Sequence, residues 1–228
     1  MDGWSDRGPM CRGPATSTID LVTTSVLSRP RPATAPVRLL PAALAAGLAV
    51  GALTSPGQTL LGGTALGGLV NAVGPWLLAP FVLGALARSP RVAVLAGVLA
   101  CTAQVPGYYL VAAARGFAVS TPWVLAWTAG GLVGGAVLGL AGWAWWTGAG
   151  RWRGAGAALL VAVWLTEALV LFGAVLRYWD SAAVSAVVGL GLLAGLGAHG
   201  RQWGAVLRWL APALVLGVAG FAVLLAVL

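Results

Sequence analysis

The chain contains no lysine, and charged side chains of any kind make up only 8% of its 228 residues. An ordinary soluble domain has about 25% charged residues. With 60% hydrophobic residues, this chain could not keep its apolar surface away from water. A lipid bilayer removes the difficulty, because its hydrocarbon core solvates apolar side chains. The scarcity of charge therefore excludes a soluble globular fold and predicts an integral membrane protein.

Residue types that commonly carry chemistry are also scarce. The chain has one histidine, two cysteines and five acidic residues. They form no CxxC motif, no zinc-ligand pattern and no disulfide framework. HExxH, a GxSG motif with a partner histidine and a pair of intramembrane aspartates are all missing. His199 falls at the cytoplasmic end of a predicted span, where we expect an interfacial role. The sequence therefore predicts no enzymatic activity, no metal and no cofactor.

Long apolar runs follow one another from Arg38 to the end of the chain. A helix needs about 20 apolar residues to cross roughly 30 Å of hydrocarbon, and its backbone polar groups must be satisfied within the segment. We predict an all-α membrane protein, a bundle of about seven transmembrane helices over residues 37–228. The predicted spans are residues 38–54, 69–87, 92–114, 121–146, 155–176, 181–198 and 204–227.

Two segments fall outside these spans. Residues 1–36 are rich in Pro, Ser, Thr, Arg and Gly and lack apolar periodicity, so they cannot bury enough surface to offset their ordering entropy. They are predicted to be a disordered cytoplasmic tail, or the product of a start codon assigned too early. Residues 55–63 are uncharged and Gly-rich, which is compatible with a re-entrant or surface-lying segment and equally with a flexible extracytoplasmic loop.

The distribution of arginine predicts the orientation of the bundle. One side receives nine arginines: Arg29, Arg31, Arg38, Arg88, Arg91, Arg151, Arg153, Arg201 and Arg208. The other side receives only Arg115 and Arg177. Because arginine is retained on the cytoplasmic side, we predict a cytoplasmic N-terminus and an external C-terminus in a bacterial plasma membrane. The net charge of +8 then reflects topology and contact with anionic headgroups, and not nucleic-acid binding.

Small residues recur at four-residue spacing in three of the spans. They are Ala42, Ala46, Gly47 and Gly51 in the first, Gly131, Gly135 and Gly139 in the fourth, and Gly191 and Gly195 in the sixth. Such stripes allow helix backbones to approach closely. We expect them to pack inside the bundle, with docking to an unidentified partner subunit as the alternative for the first span.

Glu167 is the only acidic residue well inside a predicted span. At 1.5 Å per residue, Gln104 and Thr128 lie at a similar depth, so a polar layer is expected in the outer half of the bundle. Its candidate ligand-binding residues are Glu167, Gln104, Tyr108, Tyr109, Asn71 and Thr128. One interpretation is a small-molecule or proton site open to the outside. The other is a buried cluster, Glu167 with Gln104 or a tyrosine, that fixes helix positions.

Four short motifs carry a family resemblance: LTSPGQ at 53–58, NAVGPW at 71–76, PGYY at 106–109 and EAL at 167–169. Over residues 38 to about 227 the chain resembles the actinobacterial integral membrane proteins grouped as domain of unknown function 6518. The resemblance implies no activity and no catalytic residues, because none is established for that family. An actinobacterial source also fits the Arg-only, Ala- and Gly-rich composition expected of a GC-rich genome.

A more distant similarity is to the substrate-binding membrane subunits of energy-coupling-factor transporters. Those subunits bind a vitamin from the outside and dock to a coupling subunit through an Ala-xxx-Ala motif, a spacing that Ala42 and Ala46 match. They usually have six helices, whereas seven are predicted here. The sequence thus predicts a non-enzymatic membrane protein of structural or accessory role, with a small-molecule binding or transport subunit as the alternative.

Overall fold

A computed structural model describes residues 35–227, and this part of the chain is helical along nearly its whole length. The predicted tail, residues 1–36, lies outside the described residues except for its last two positions. The helices are α1 (Pro36–Leu61), α2 (Val73–Leu86), α3 (Pro90–Ala114), α4 (Thr121–Thr147), α5 (Ala155–Thr166), α6 (Trp179–Ala198) and α7 (Trp203–Val227). A 3₁₀ segment, Ala65–Asn71, precedes α2, and a π segment, Glu167–Leu176, directly continues α5.

Helix length and composition confirm a helical membrane bundle. Six helical stretches are long and apolar enough to cross a bilayer, and one of them is Gly150–Leu176, which contains α5 and the π segment. A seventh crossing is added if the 3₁₀ segment and α2, which meet at a 58° bend, form one broken span. Six of the predicted spans coincide with the six long helical stretches, and the predicted span 69–87 falls on the bent pair.

The first span extends further than predicted. Helix α1 continues through Pro56 to Leu61, so the prediction that residues 55–63 form a loop, or a re-entrant or surface-lying segment, is wrong for residues 55–61. The guanidinium of Arg115, at the end of α3, donates hydrogen bonds to the carbonyl and hydroxyl oxygens of Ser55 and to Thr59 Oγ1. These contacts hold the last turns of α1, where proline and glycine alone predicted a break.

Glycines bring α1, α3 and α4 into backbone contact. A Cβ atom on Gly47 or Gly51 would overlap the carbonyl oxygen of a residue in α3. In α4, Gly135 and Gly139 pack in the same way against the backbone of α3, and Gly131 is also buried. The predicted packing of the first and fourth spans inside the bundle is therefore confirmed for these glycines.

The sixth span presents a different face from the one predicted. Gly191 and Gly195 have no neighbouring atom within 4 Å of a built Cβ position, so their stripe points away from the bundle. The buried positions of α6 are instead Ser181, Ser185, Gly189 and Gly197. Both stripes have four-residue spacing, and sequence spacing alone does not indicate which of them meets another helix.

Two of the turns that the arginine pattern predicts on one side of the membrane lie next to each other. Arg153 Nη2 donates to the Gly200 carbonyl at 2.7 Å, and Arg208 Nη2 donates to the Arg151 carbonyl at 2.9 Å. The α4–α5 and α6–α7 turns therefore meet at one end, which we call the arginine-rich end. Which membrane face this end occupies stays a prediction from the positive-inside rule.

Candidate functional site

Glu167 lies at the start of α2, where the chain bends after the 3₁₀ segment. Its Oε1 accepts a hydrogen bond from the Val73 amide at 2.5 Å, and its Oε2 accepts one from the Gly74 amide at 2.9 Å. The first amides of a helix have no partner within the helix, and Ala72, the residue before α2, has no side chain to cap them. A buried carboxylate only accepts hydrogen bonds and suits the positive end of a helix. Glu167 is thus the N-terminal cap of α2, supplied by another span.

The start of α2 fits tightly beneath this cap. A Cβ atom on Gly74 would lie 2.9 Å from Glu167 Oε2 and 2.8 Å from Cε2 of the Trp164 indole. Both contacts are shorter than packed carbon atoms allow. Glycine at position 74 therefore lets both the carboxylate and the Trp164 indole approach the start of α2.

Gln104 also donates a hydrogen bond to the backbone of α2. Its Nε2 donates to the Trp76 carbonyl at 2.9 Å. In a regular helix that carbonyl would accept from the amide of residue 80, but residue 80 is Pro80, which has no N–H. Gln104 therefore supplies the hydrogen bond that Pro80 removes, and it does not contact Glu167 as the sequence interpretation supposed.

Replacing Gln104 by leucine should leave the Trp76 carbonyl without a donor and destabilise the protein by about 1–3 kcal/mol. In a Pro80→Ala background the amide gained at position 80 can bond that carbonyl, so the same replacement should be less destabilising there. Denaturant unfolding of the four proteins in detergent, analysed as a double-mutant cycle, measures the coupling. Equal losses in both backgrounds would contradict the assigned role of Gln104.

The other predicted residues form contacts nearer the end opposite the arginine-rich end. The Tyr108 hydroxyl donates to Gln58 Oε1 at 3.1 Å, and Gln58 Nε2 donates to Asn71 Oδ1 at 2.7 Å. Tyr109 meets the Tyr108 ring edge-on at 4.9 Å, and Thr128 donates to a carbonyl of its own helix. Gln58, which the sequence reasoning missed, thus links α3 to the 3₁₀ segment. A ligand-binding role for these residues stays a prediction.

A cleft of about 760 Å³ opens between the 3₁₀ segment and the π segment. Its lining residues are Gly62, Gly63, Thr64, Ala65, Gly67, Gly68, Asn71, Leu171, Phe172, Leu176, Arg177, Tyr178, Trp179, Asp180 and Ser181. Of the six candidate residues of the sequence analysis, only Asn71 lines this cleft. The cleft lies at the beginning of α6, opposite the arginine-rich end.

Two opposite charges lie in the cleft wall. Arg177 ends the π segment in a left-handed conformation with φ of 56°, and Asp180 lies in the first turn of α6. Both residues are exposed, and neither forms an ion pair with any residue in 35–227. The charge pattern of the sequence indicates for Arg177 only a role in topology. The available signal was the run RYWDS at 177–181, which is unusually polar for a turn in this chain.

Comparison with known proteins gives one match. A family model described as a family of unknown function, DUF6518, matches residues 30–228. No curated protein matches the chain, and no solved structure matches it. The family match covers every helix described above, and it adds no ligand and no reaction.

Proposed function

The chain belongs to the DUF6518 family of unknown function, and from that premise we propose that it is a non-enzymatic multi-pass protein that binds a small solute at its outer cleft. The membrane is proposed to be a bacterial plasma membrane, with an actinobacterial source. This function develops the binding interpretation of the polar layer, but it moves the binding site from Glu167 outward to the cleft. Glu167 remains as the cap that keeps the second span broken.

One observation carries the proposal: two stretches of backbone that are not α-helical face each other across the cleft. The 3₁₀ segment forms one wall and the end of the π segment forms the other. Irregular backbone at membrane depth is tolerated only where it is buried in protein or lines a water-filled cavity, and broken helices commonly mark solute sites in membrane proteins. This arrangement supports a cleft that is filled with water and open to solutes.

The lining suggests the class of solute. A volume of about 760 Å³ lies within the range of roughly 300–1,000 Å³ found for small-molecule sites. Arg177 and Asp180 offer one charge of each sign, while Tyr178 and Trp179 offer aromatic surface. We therefore propose a small zwitterion with an apolar portion, such as an amino acid or a short peptide.

We also propose that the cleft binds its solute without catalysing a reaction. The cleft hydroxyl of Ser181 forms no hydrogen bond to a base within residues 35–227, so no activated nucleophile is prepared there. The likeness to energy-coupling-factor subunits gains little support, because Ala46 packs against the buried cluster around Ala43 and Ala100. Of that alanine pair, only Ala42 is exposed.

The first test asks whether the cleft is wet and external. In a background lacking the native thiols, Cys11→Ser/Cys101→Ala, we expect Asp180→Cys to react with a membrane-impermeant maleimide added to intact cells. Ser185→Cys, about one turn deeper in α6 and fully buried, is the matched control and should remain unlabelled. Labelling of Asp180→Cys only after the cells are permeabilised would contradict an external cleft.

The second test concerns the solute. A panel of free amino acids, dipeptides and betaines is screened for a rise in the thermal unfolding midpoint of the purified protein. For any member that stabilises the wild type, Arg177→Gln and Asp180→Asn should each weaken binding by about tenfold or more. Arg38→Gln, at the far end of the bundle, should leave binding unchanged. If no member of the panel stabilises the wild type, the proposed solute class is wrong.

A further inference from the structure

The arginine-rich end carries a feature that the cleft does not explain. The arginine platform is the set of Arg151, Arg153, Arg201 and Arg208. The first three lie on the α4–α5 and α6–α7 turns and Arg208 lies near the start of α7, and hydrogen bonds join these elements into one surface. Besides the two arginine–carbonyl bonds described above, Trp209 Nε1 donates to the Arg151 carbonyl at 2.8 Å. The platform is therefore preorganised, because its turns are linked before anything binds.

Within residues 35–227, no acidic side chain neutralises the positive charge of the platform. All four arginines are exposed, and within residues 35–227 none of them pairs with a carboxylate. The acidic residues of that range are Glu167 and Asp180; the first caps α2 and the second lies at the opposite end of α6. Arg153 and Arg208 each use one nitrogen on a carbonyl, which leaves their other N–H groups available.

Two further features favour an anionic lipid headgroup at this surface. Helices α5 and α7 both begin here, and a Cβ atom on Gly154 would lie 2.5 Å from the Ala205 carbonyl carbon, so their N-termini are adjacent. Helix N-termini carry partial positive charge. The rings of Trp152 and Trp209 stack at 5.0 Å with an interplanar angle of 13°, and tryptophan in membrane proteins favours the headgroup level.

We propose that the arginine platform binds the phosphate of an anionic phospholipid in the cytoplasmic leaflet. Guanidinium groups match phosphate oxygens in a bidentate geometry, and basic surfaces between helices on this side of a membrane bind anionic headgroups. A free phosphate shares the same chemistry. The stacked tryptophans and the apolar spans beside them favour the lipid, because they also provide contact for its glycerol and acyl chains. The site is independent of the solute cleft.

The test uses full-length protein in an uncharged maltoside detergent. Dioleoyl phosphatidylglycerol, dioleoyl phosphatidylcholine or inorganic phosphate is titrated, and the midpoint of thermal unfolding is followed. Arg151→Gln/Arg201→Gln removes two guanidiniums that donate no hydrogen bond to any of residues 35–227. The guanidinium of Arg151 lies over the Trp152 ring. Arg38→Gln/Arg91→Gln makes the same charge change elsewhere on the predicted cytoplasmic side.

We expect phosphatidylglycerol to stabilise the wild type, with binding about thirtyfold weaker in the platform variant and changed less than about twofold in the control variant. Equal weakening in both variants would show a general charge effect and overturn the site. Stabilisation by phosphatidylcholine or inorganic phosphate equal to that by phosphatidylglycerol would overturn the lipid assignment.

A second measurement needs no variant, so it decides the matter even if the substituted proteins fail to fold. Wild-type protein is irradiated with a phosphatidylglycerol analogue that carries a photoreactive group on its headgroup, and the labelled peptides are identified. Labels in peptides containing residues 150–153 and 200–209 are expected. Labels confined to other segments would overturn the proposal.

Discussion

Glu167→Ala is expected to destabilise the protein by about 2–6 kcal/mol, because it leaves the part-buried amide of Val73 and the buried amide of Gly74 without an acceptor, at about 1–3 kcal/mol each. Glu167→Gln should have a smaller effect, since its amide oxygen can still accept one of the two bonds. Denaturant unfolding in detergent, followed by circular dichroism, measures both. Amide hydrogen exchange should also accelerate locally, in peptides containing residues 73 and 74.

Asp180→Ala is the control for this prediction, because Asp180 is the other acidic residue of the described range and is exposed. Its stability change should stay within about 0.5 kcal/mol, while solute binding is lost. Substitution of Glu167 should therefore affect stability, whereas substitution of Asp180 should affect solute binding. If Glu167→Gln instead unfolds like the wild type and only loses the solute, the carboxylate belongs to the binding site and its role as a helix cap is wrong.

Gly51→Leu should destabilise the protein by about 3 kcal/mol, at the upper end of the usual effect of overpacking. A Cβ atom at this position already overlaps the Gln104 carbonyl oxygen and lies 2.8 Å from the Tyr108 nitrogen. Because these atoms belong to the backbone of α3, no rotamer change relieves the contact, and α1 must move away from α3.

Gly191→Leu is the matched control, because it makes the same replacement in the middle of a helix whose glycine faces open space. It should change the free energy of unfolding by no more than about 0.5 kcal/mol. Both variants are compared with the wild type by denaturant unfolding in the same detergent. Similar losses for the two would indicate that the sixth span also packs through its Gly191 stripe, against the arrangement described here.

Glu167 could be identified from the sequence as a buried polar residue, but its hydrogen-bond partners could not. An acidic side chain inside an apolar span must be satisfied, and that requirement can be read from the sequence. Its partners are main-chain amides, which every residue except proline possesses, so no side-chain pattern distinguishes them. The sequence likewise indicates a buried polar role for Gln104 but not its partner. That partner is the Trp76 carbonyl, which lacks a helical donor because residue 80 is proline.

Sequence alone determined that the chain is a helical membrane protein, the positions of its helical spans, and the location of the arginine-bearing α4–α5 and α6–α7 turns at one end of the bundle. These properties follow from hydropathy and charge along one dimension, where each span is fixed by its own residues and by the solvent. Only the tertiary structure decided which stripe of α6 is buried, where α1 ends, that Glu167 caps α2, and that Arg177 and Asp180 share a cleft. Each of these depends on backbone groups of distant spans, and their positions exist only after the helices have packed.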